Sequence, residues 1–303
     1  MFVVGVAGMK AAEVDSTGVH NVSLWADATA VGSSAVINAG LTELLKHSIH
    51  EMRPDRSGND SWPSRHTSWA FAIGGSVGLR AARYSGWWTV AAHTAANVVA
   101  MERCHSQRHF PKDVLGGAAT GLVSVAAGEV LSRLIFGGQS PVLYTGTTPS
   151  RESVDAFTTA LLTGGRSGAY CVRTGVRSGL RYNLPLGQLW GVSAEASVSY
   201  LPVYEDGVFD QEILRGGVAV GPWIRHSIGA CSLEGRAMLG AQRNAHQYYA
   251  GWHAWAVTWG VNGAALWNVA RTCALGVQAG YEGRSCGLGR NCATVSAVSR
   301  VMF

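Results

Sequence analysis

W-G-V-S-A-E-A-S-V-S-Y, residues Trp190–Tyr200, alternates without a break. Trp190, Val192, Ala194, Ala196, Val198 and Tyr200 fall on one side, and Gly191, Ser193, Glu195, Ser197 and Ser199 on the other. A period of two belongs to a β-strand, whose successive side chains point to opposite faces. The same pattern recurs on both sides of this stretch. In Cys171–Tyr182, Val172, Val176, Leu180 and Tyr182 oppose Arg173, Arg177 and Arg181; in Cys231–Ala241, Leu233, Ala237 and Leu239 oppose Ser232, Glu234 and Arg236. Trp255–Trp267 and Cys273–Tyr281 alternate likewise, Leu214–Ile224 more weakly, and Ala293–Phe303 puts Val295, Ala297, Val301 and Phe303 on one face. Val154–Thr163 supplies an eighth strand to these seven.

Strands of about ten residues, apolar on one face and small or charged on the other, predict an up-and-down antiparallel barrel. A soluble barrel turns the apolar face inward, and an outer-membrane barrel turns it to lipid. Frequent Trp and Tyr, sustained alternation and a terminal aromatic favour lipid; five cysteines in this half speak for the soluble case. The ending Arg300-Val-Met-Phe303 resembles the closing strand of bacterial outer-membrane barrels.

Upstream the pattern is helical. Ala/Val/Leu-rich blocks at 22–52, 66–83, 87–103 and 112–136 are separated by short polar or glycine-containing breaks. Gly137–Arg151, with two prolines and several Gly, Ser and Thr, reads as a linker. The expected class is therefore α+β in two domains: an all-α bundle over 1–136, a linker over 137–152, and an antiparallel barrel of about eight strands over 153–303.

Composition narrows the function. The chain of 303 residues has 39 glycines, 11 tryptophans, 14% charged residues and a net charge of +5, with arginines scattered rather than clustered, which speaks against nucleic-acid binding. Six cysteines show no C-x2-C spacing, against a zinc site; Cys286 and Cys292 either close a small disulfide loop or stay free. The start, M-F-V-V-G-V-A-G-M-K, lacks a basic residue before its apolar run and is a poor export signal. Val114–Gly128 is too short to span a bilayer, and Tyr84–Met101 is borderline and interrupted by His93, Thr94 and Asn97, so a helical membrane protein is the weaker reading.

Three strings carry chemistry: K-x6-R-P at Lys46–Pro54, P-S-x-H at Pro63–His66 and R-x5-H-x3-D at Arg103–Asp113. Together they supply three cations, two histidines and a carboxylate, an inventory suited to moving a phosphoryl group through a histidine without a metal or other cofactor. Lys46 and Arg53, seven apart, are placed two turns along one helix face. Asp113, four residues after His109, can hold that imidazole in one tautomer.

These strings resemble the signature of the type-2 phosphatidic acid phosphatase superfamily, which also holds bacterial acid phosphatases and vanadium haloperoxidases. The resemblance covers residues 20–136. Arg65 stands where the family most often has glycine, and Glu102 where it usually has serine. It implies His109 as nucleophile, His66 as general acid and then base, and Asp113 as the residue orienting His109. Lys46, Arg53, Ser64, Arg65 and Arg103 would bind the phosphate, with the amides at 64–66 as an oxyanion cradle. The implied function is a metal-independent phosphatase of phosphate monoesters, lipid phosphates or pyrophosphates included, held by its barrel at the bacterial outer membrane with the catalytic part in the periplasm. Alternatives are a pore or binding barrel carrying an inactive domain, and a vanadium haloperoxidase. Specificity is expected in the loops around 55–62 and 104–108.

Overall fold

The computed structural model describes residues 23–82, 85–136, 151–206, 208–244, 255–269, 272–287 and 289–303. Four helices, α1 (Ser23–Ser48), α2 (Arg65–Ala81), α3 (Gly86–His105) and α4 (Pro111–Phe136), precede eight strands. These are β1 (Ser153–Ser167), β2 (Tyr170–Pro185), β3 (Trp190–Glu205), β4 (Val208–Ile228), β5 (Cys231–Asn244), β6 (Trp255–Asn268), β7 (Cys273–Arg284) and β8 (Asn291–Met302). All eight alternating stretches are strands and all four apolar blocks are helices. The start, which reads as a poor export signal, and residues 137–150 of the expected linker lie outside the described residues.

Each strand pairs antiparallel with its neighbours in sequence, and β8 returns to β1, closing a barrel without free edges. The register puts Asp155 opposite both Arg181 and Arg300 on the inner face. On the outer face Val218, Val220, Leu239, Val257, Val261 and Val277 are exposed. An eight-stranded barrel is just wide enough for side chains to fill. Here they do: Arg300 Nε and Nη2 donate to Asp155 at 2.6 and 2.9 Å and Nη2 also to Glu234 at 2.9 Å, while Arg181 donates to Glu195 at 2.7 Å and Gln278 at 2.9 Å. Unpaired buried charges cost several kcal/mol apiece, and these contacts pair the luminal arginines with acidic or amide partners. Cys286 and Cys292 are free thiols; Cys286 Sγ donates to the Trp255 carbonyl at 3.4 Å and Cys292 Sγ to that of Gly289 at 3.7 Å, so the possible disulfide does not form.

In the bundle, α4 packs against α1 and α2 at close range. A Cβ added at Gly117, Gly121 or Gly128 would lie 2.6, 2.4 or 2.5 Å from the carbonyl oxygens of Ser64, Ser68 or Ala30. Arg80 on α2 is buried between Glu129 of α4 and Asp27 of α1, its Nη2 3.6 Å from Asp27 Oδ1. The α4 helix outruns the apolar run recognised in the sequence. It is the one helix among the described residues long and apolar enough to cross a membrane, although 56% of that window is buried in protein.

The bundle lies beside the barrel. Phe71, Ala100, Cys104, Val114, Ala118 and Leu122 share a core with Val176, Tyr200 and Ala297, which stand on the outer face of β2, β3 and β8. The α3 helix follows the wall: Trp87 at its start is 5.1 Å from the Phe303 ring, Asn97 Nδ2 donates to the Phe157 carbonyl at 3.2 Å, and His105 at its end meets Glu212 at 2.9 Å.

Candidate active site

The first cation pair converges by a route the sequence does not suggest. The α1 helix ends at Ser48, so Arg53 is not on its face; it sits in an irregular segment, held by its amide to the Gly58 carbonyl at 2.9 Å. Lys46, only 4% exposed, donates Nζ to the Asp60 carbonyl. Arg53 grips the Asp60 carboxylate in a fork, Nε to Oδ1 at 2.9 Å and Nη2 to Oδ2 at 3.1 Å, as it would grip a phosphate. Burial raises the Asp60 carboxyl, but the Arg53 hydrogen bond and the Arg53 and Lys46 charges outweigh it and hold it below its ordinary value. Burial likewise lowers the Lys46 ammonium.

The second string starts α2. Ser64 is the N-cap, its Oγ accepting from the Thr67 amide at 3.4 Å and the Thr67 hydroxyl at 3.0 Å. Its own amide donates to the Asp113 carbonyl at 2.9 Å, so of the expected cradle only the Arg65 and His66 amides remain as orphan donors of the helix start. Arg65 has an ordinary helical backbone, the described non-glycine residues with positive φ being Arg56, Gln107 and Asp206. Its exposed guanidinium turns to Glu43 at 2.5 Å. His66 follows on the exposed start of the helix. Its pKa is lowered from the ordinary imidazole value, first by partial burial of the ring, then by the charges of Arg103 and His109.

The third string closes the site. His109, 3% exposed, precedes α4, and its amide donates to the Arg103 carbonyl at 3.1 Å. His109 Nδ1 lies 3.7 Å from Asp113 Oδ2, close but outside hydrogen-bond range. That oxygen instead accepts from Ser61 Oγ at 2.5 Å and from the Phe110 amide at 2.8 Å, a cap for α4. Arg103 meets Glu102 at 3.3 Å, while its buried Nε has no hydrogen-bond partner among the described residues.

Asp60 and Ser61 were missed by sequence reasoning. Neither belongs to a string, and their only signal was position, in the loop immediately before P-S-x-H. Among the described residues no three His, Cys, Asp or Glu side chains are grouped to hold a metal ion.

Comparison with known proteins agrees with this geometry. The family profile described as the PAP2 superfamily matches residues 27–137. This segment is a PAP2 superfamily domain. The PAP2 domain is followed by the eight-stranded closed barrel. The chain is 29% identical over 222 residues to the lipid A 1-phosphatase of Porphyromonas gingivalis. That alignment covers 64% of this chain, more than the helical part alone can supply, and 47% of the relative, so the chain spans about half of that protein's length. The outer membrane enzyme PagL overlays 49% of this chain and 99% of its own at 12% identity and a TM-score of 0.36. Neisserial surface protein A overlays 52% and 100% at 13% identity and a TM-score of 0.37.

Proposed function

We propose that this chain hydrolyses the phosphate ester of a lipid through a phosphohistidine, from a site carried beside a barrel set in the bacterial outer membrane. The observation that carries the reading is His109 Nδ1 facing the buried Asp113 carboxylate, with Arg103 tied to the His109 backbone. With Nδ1 turned to Asp113, Nε2 is the nitrogen left to attack phosphorus. As the N–P bond forms and the ester P–O bond breaks, His66 gives its proton to the leaving oxygen. His66 then takes a proton from water, whose oxygen attacks phosphorus and releases inorganic phosphate and His109. Lys46, Arg53 and Arg103 neutralise the equatorial oxygens, which requires Arg53 to exchange the Asp60 carboxylate for phosphate.

A lipid is supported by the name of the P. gingivalis relative, whose alignment runs into the barrel. Membrane placement is supported by the apolar outer face and by exposed aromatics near both rims, Trp190 and Trp267 at one and Trp255 and Trp259 at the other.

The test is release of inorganic phosphate from phosphatidic acid and p-nitrophenyl phosphate in EDTA. His109→Ala is expected to abolish turnover of both while the barrel stays folded; turnover at the unsubstituted rate would remove this mechanism.

A further inference from the structure

The two ends of the barrel differ. The connections 186–189 and 229–230, and the four residues between β6 and β7, lie at the end where β1 starts and β8 finishes. The other end carries the two-residue links 168–169 and 206–207 together with the two longest connections, the ten residues between β5 and β6 and the six of 285–290. In outer-membrane barrels short turns face the periplasm and longer loops the outside. The α3 helix starts beside Phe303 at the short-turn end and finishes beside Glu212 and Tyr200 at the long-loop end, so Arg103 and His109 lie at the latter.

There a cleft of about 490 Å³ separates bundle from wall, a volume typical of ligand sites. Arg53, Arg56, Phe110 and Lys112 line one side, Arg173 and Tyr204 of the barrel the other. It adjoins the catalytic site, because Arg53 grips Asp60 there and Phe110 directly follows His109. Four cations face one carboxylate, Glu51, which pairs with Lys112. Arg56 and Arg173 have no carboxylate partner among the described residues. Met52, Pro54 and the two aromatic rings give the same cleft an apolar lining. Cationic and apolar walls together, opening beside a lipid-facing wall, match an anionic lipid head with the first part of its chains better than a soluble ester.

We infer that the substrate enters this cleft from the outer leaflet, and that Arg173 of the barrel binds an anionic group of its head, making the barrel part of the substrate site. The inference rests on the lipid-phosphatase reading above, and it turns the site away from the expected periplasmic side.

The experiment compares the full chain with Arg173→Glu and Thr174→Trp, on phosphatidic acid in mixed micelles and on p-nitrophenyl phosphate. Arg173 is exposed, so its replacement leaves the fold intact. For the lipid, kcat/KM is expected to fall about tenfold or more, chiefly through KM, as for one lost contact to a charged group. Thr174→Trp, which fills the cleft, should act the same way, and the soluble ester should be unaffected by either. Equal rates on both substrates, or equal losses on both, overturn the inference and leave the proposed function standing. An unsubstituted chain inactive on both overturns both. In intact cells Arg108→Cys is expected to gain labelling by a membrane-impermeant maleimide over the unsubstituted chain; a gain seen only after the outer membrane is permeabilised overturns the outer-leaflet assignment.

Discussion

A histidine that gives its proton to a leaving oxygen works only while it holds one. Partial burial and the charges of Arg103 and His109 lower the His66 pKa, so its protonated form is lost as pH rises through a value below the ordinary 6.5. The alkaline limb of kcat/KM on an alkyl phosphate is therefore expected below pH 6.5, an acid optimum. His66→Ala should cost about 10²–10⁴-fold on that substrate and less on p-nitrophenyl phosphate, whose leaving group needs little protonation. An alkaline limb unchanged in the variant would take this role from His66. Lys46, Arg53, His66, Arg103, His109 and Asp113 stand out in the sequence as one candidate set, because the chemistry proposed for them dictates residue type. How they meet was not. Seven residues measured as two helical turns placed Arg53 on α1, yet that helix stops at Ser48 and a carboxylate from outside the strings, Asp60, gathers the two cations.

Among the elements, α4 sets how closely the catalytic strings approach one another, since it carries Asp113 while α2 carries His66. Gly121 is the tightest point of that contact. A Cβ there would meet Ser68 O at 2.4 Å, Phe71 Cβ at 2.8 Å and Ala72 N at 2.9 Å, two of them backbone atoms that cannot turn aside. Gly121→Val is expected to destabilise the bundle by about 1–3 kcal/mol or more and to lower kcat, read by thermal unfolding and turnover. Gly40→Ala on α1, with nothing within 4 Å of the added Cβ, serves as the control and should stabilise by up to about 1 kcal/mol. If both substitutions had the same small effect, the helix contact would not be limiting. The strands were the most legible elements, because a period of two has one structural meaning when sustained for ten residues. Their inner and outer faces followed from it along most of their length, down to Arg181 and Glu195 meeting in the lumen. In β2, however, an irregularity after Cys171 turns Val172 inward against Leu161 and Leu201 and leaves Arg173 exposed, away from Arg177 and Arg181.

At the scale of the whole molecule the arrangement was hidden. Outward residues that seat the bundle, such as Ala156, Ala160, Val176, Tyr200 and Ala297, are apolar like the exposed outward ones and carry no mark of their own. Nothing in one strand announces a helix lying across it. Yet α3 and α4 both bear on β1 and on β8, the strands between which the barrel closes. Gly86 abuts Val301 and Phe303 while Asn97 reaches Phe157. The helices come off the ribosome first and their seat is finished last. A chain ending before β8 keeps every candidate catalytic residue but is expected to release no phosphate and to leave the helices open to protease; an active, protected bundle in that truncation would refute the dependence. Phosphate release is therefore expected to begin only when β8 has closed the barrel, so that the proposed activity and the barrel would be completed together.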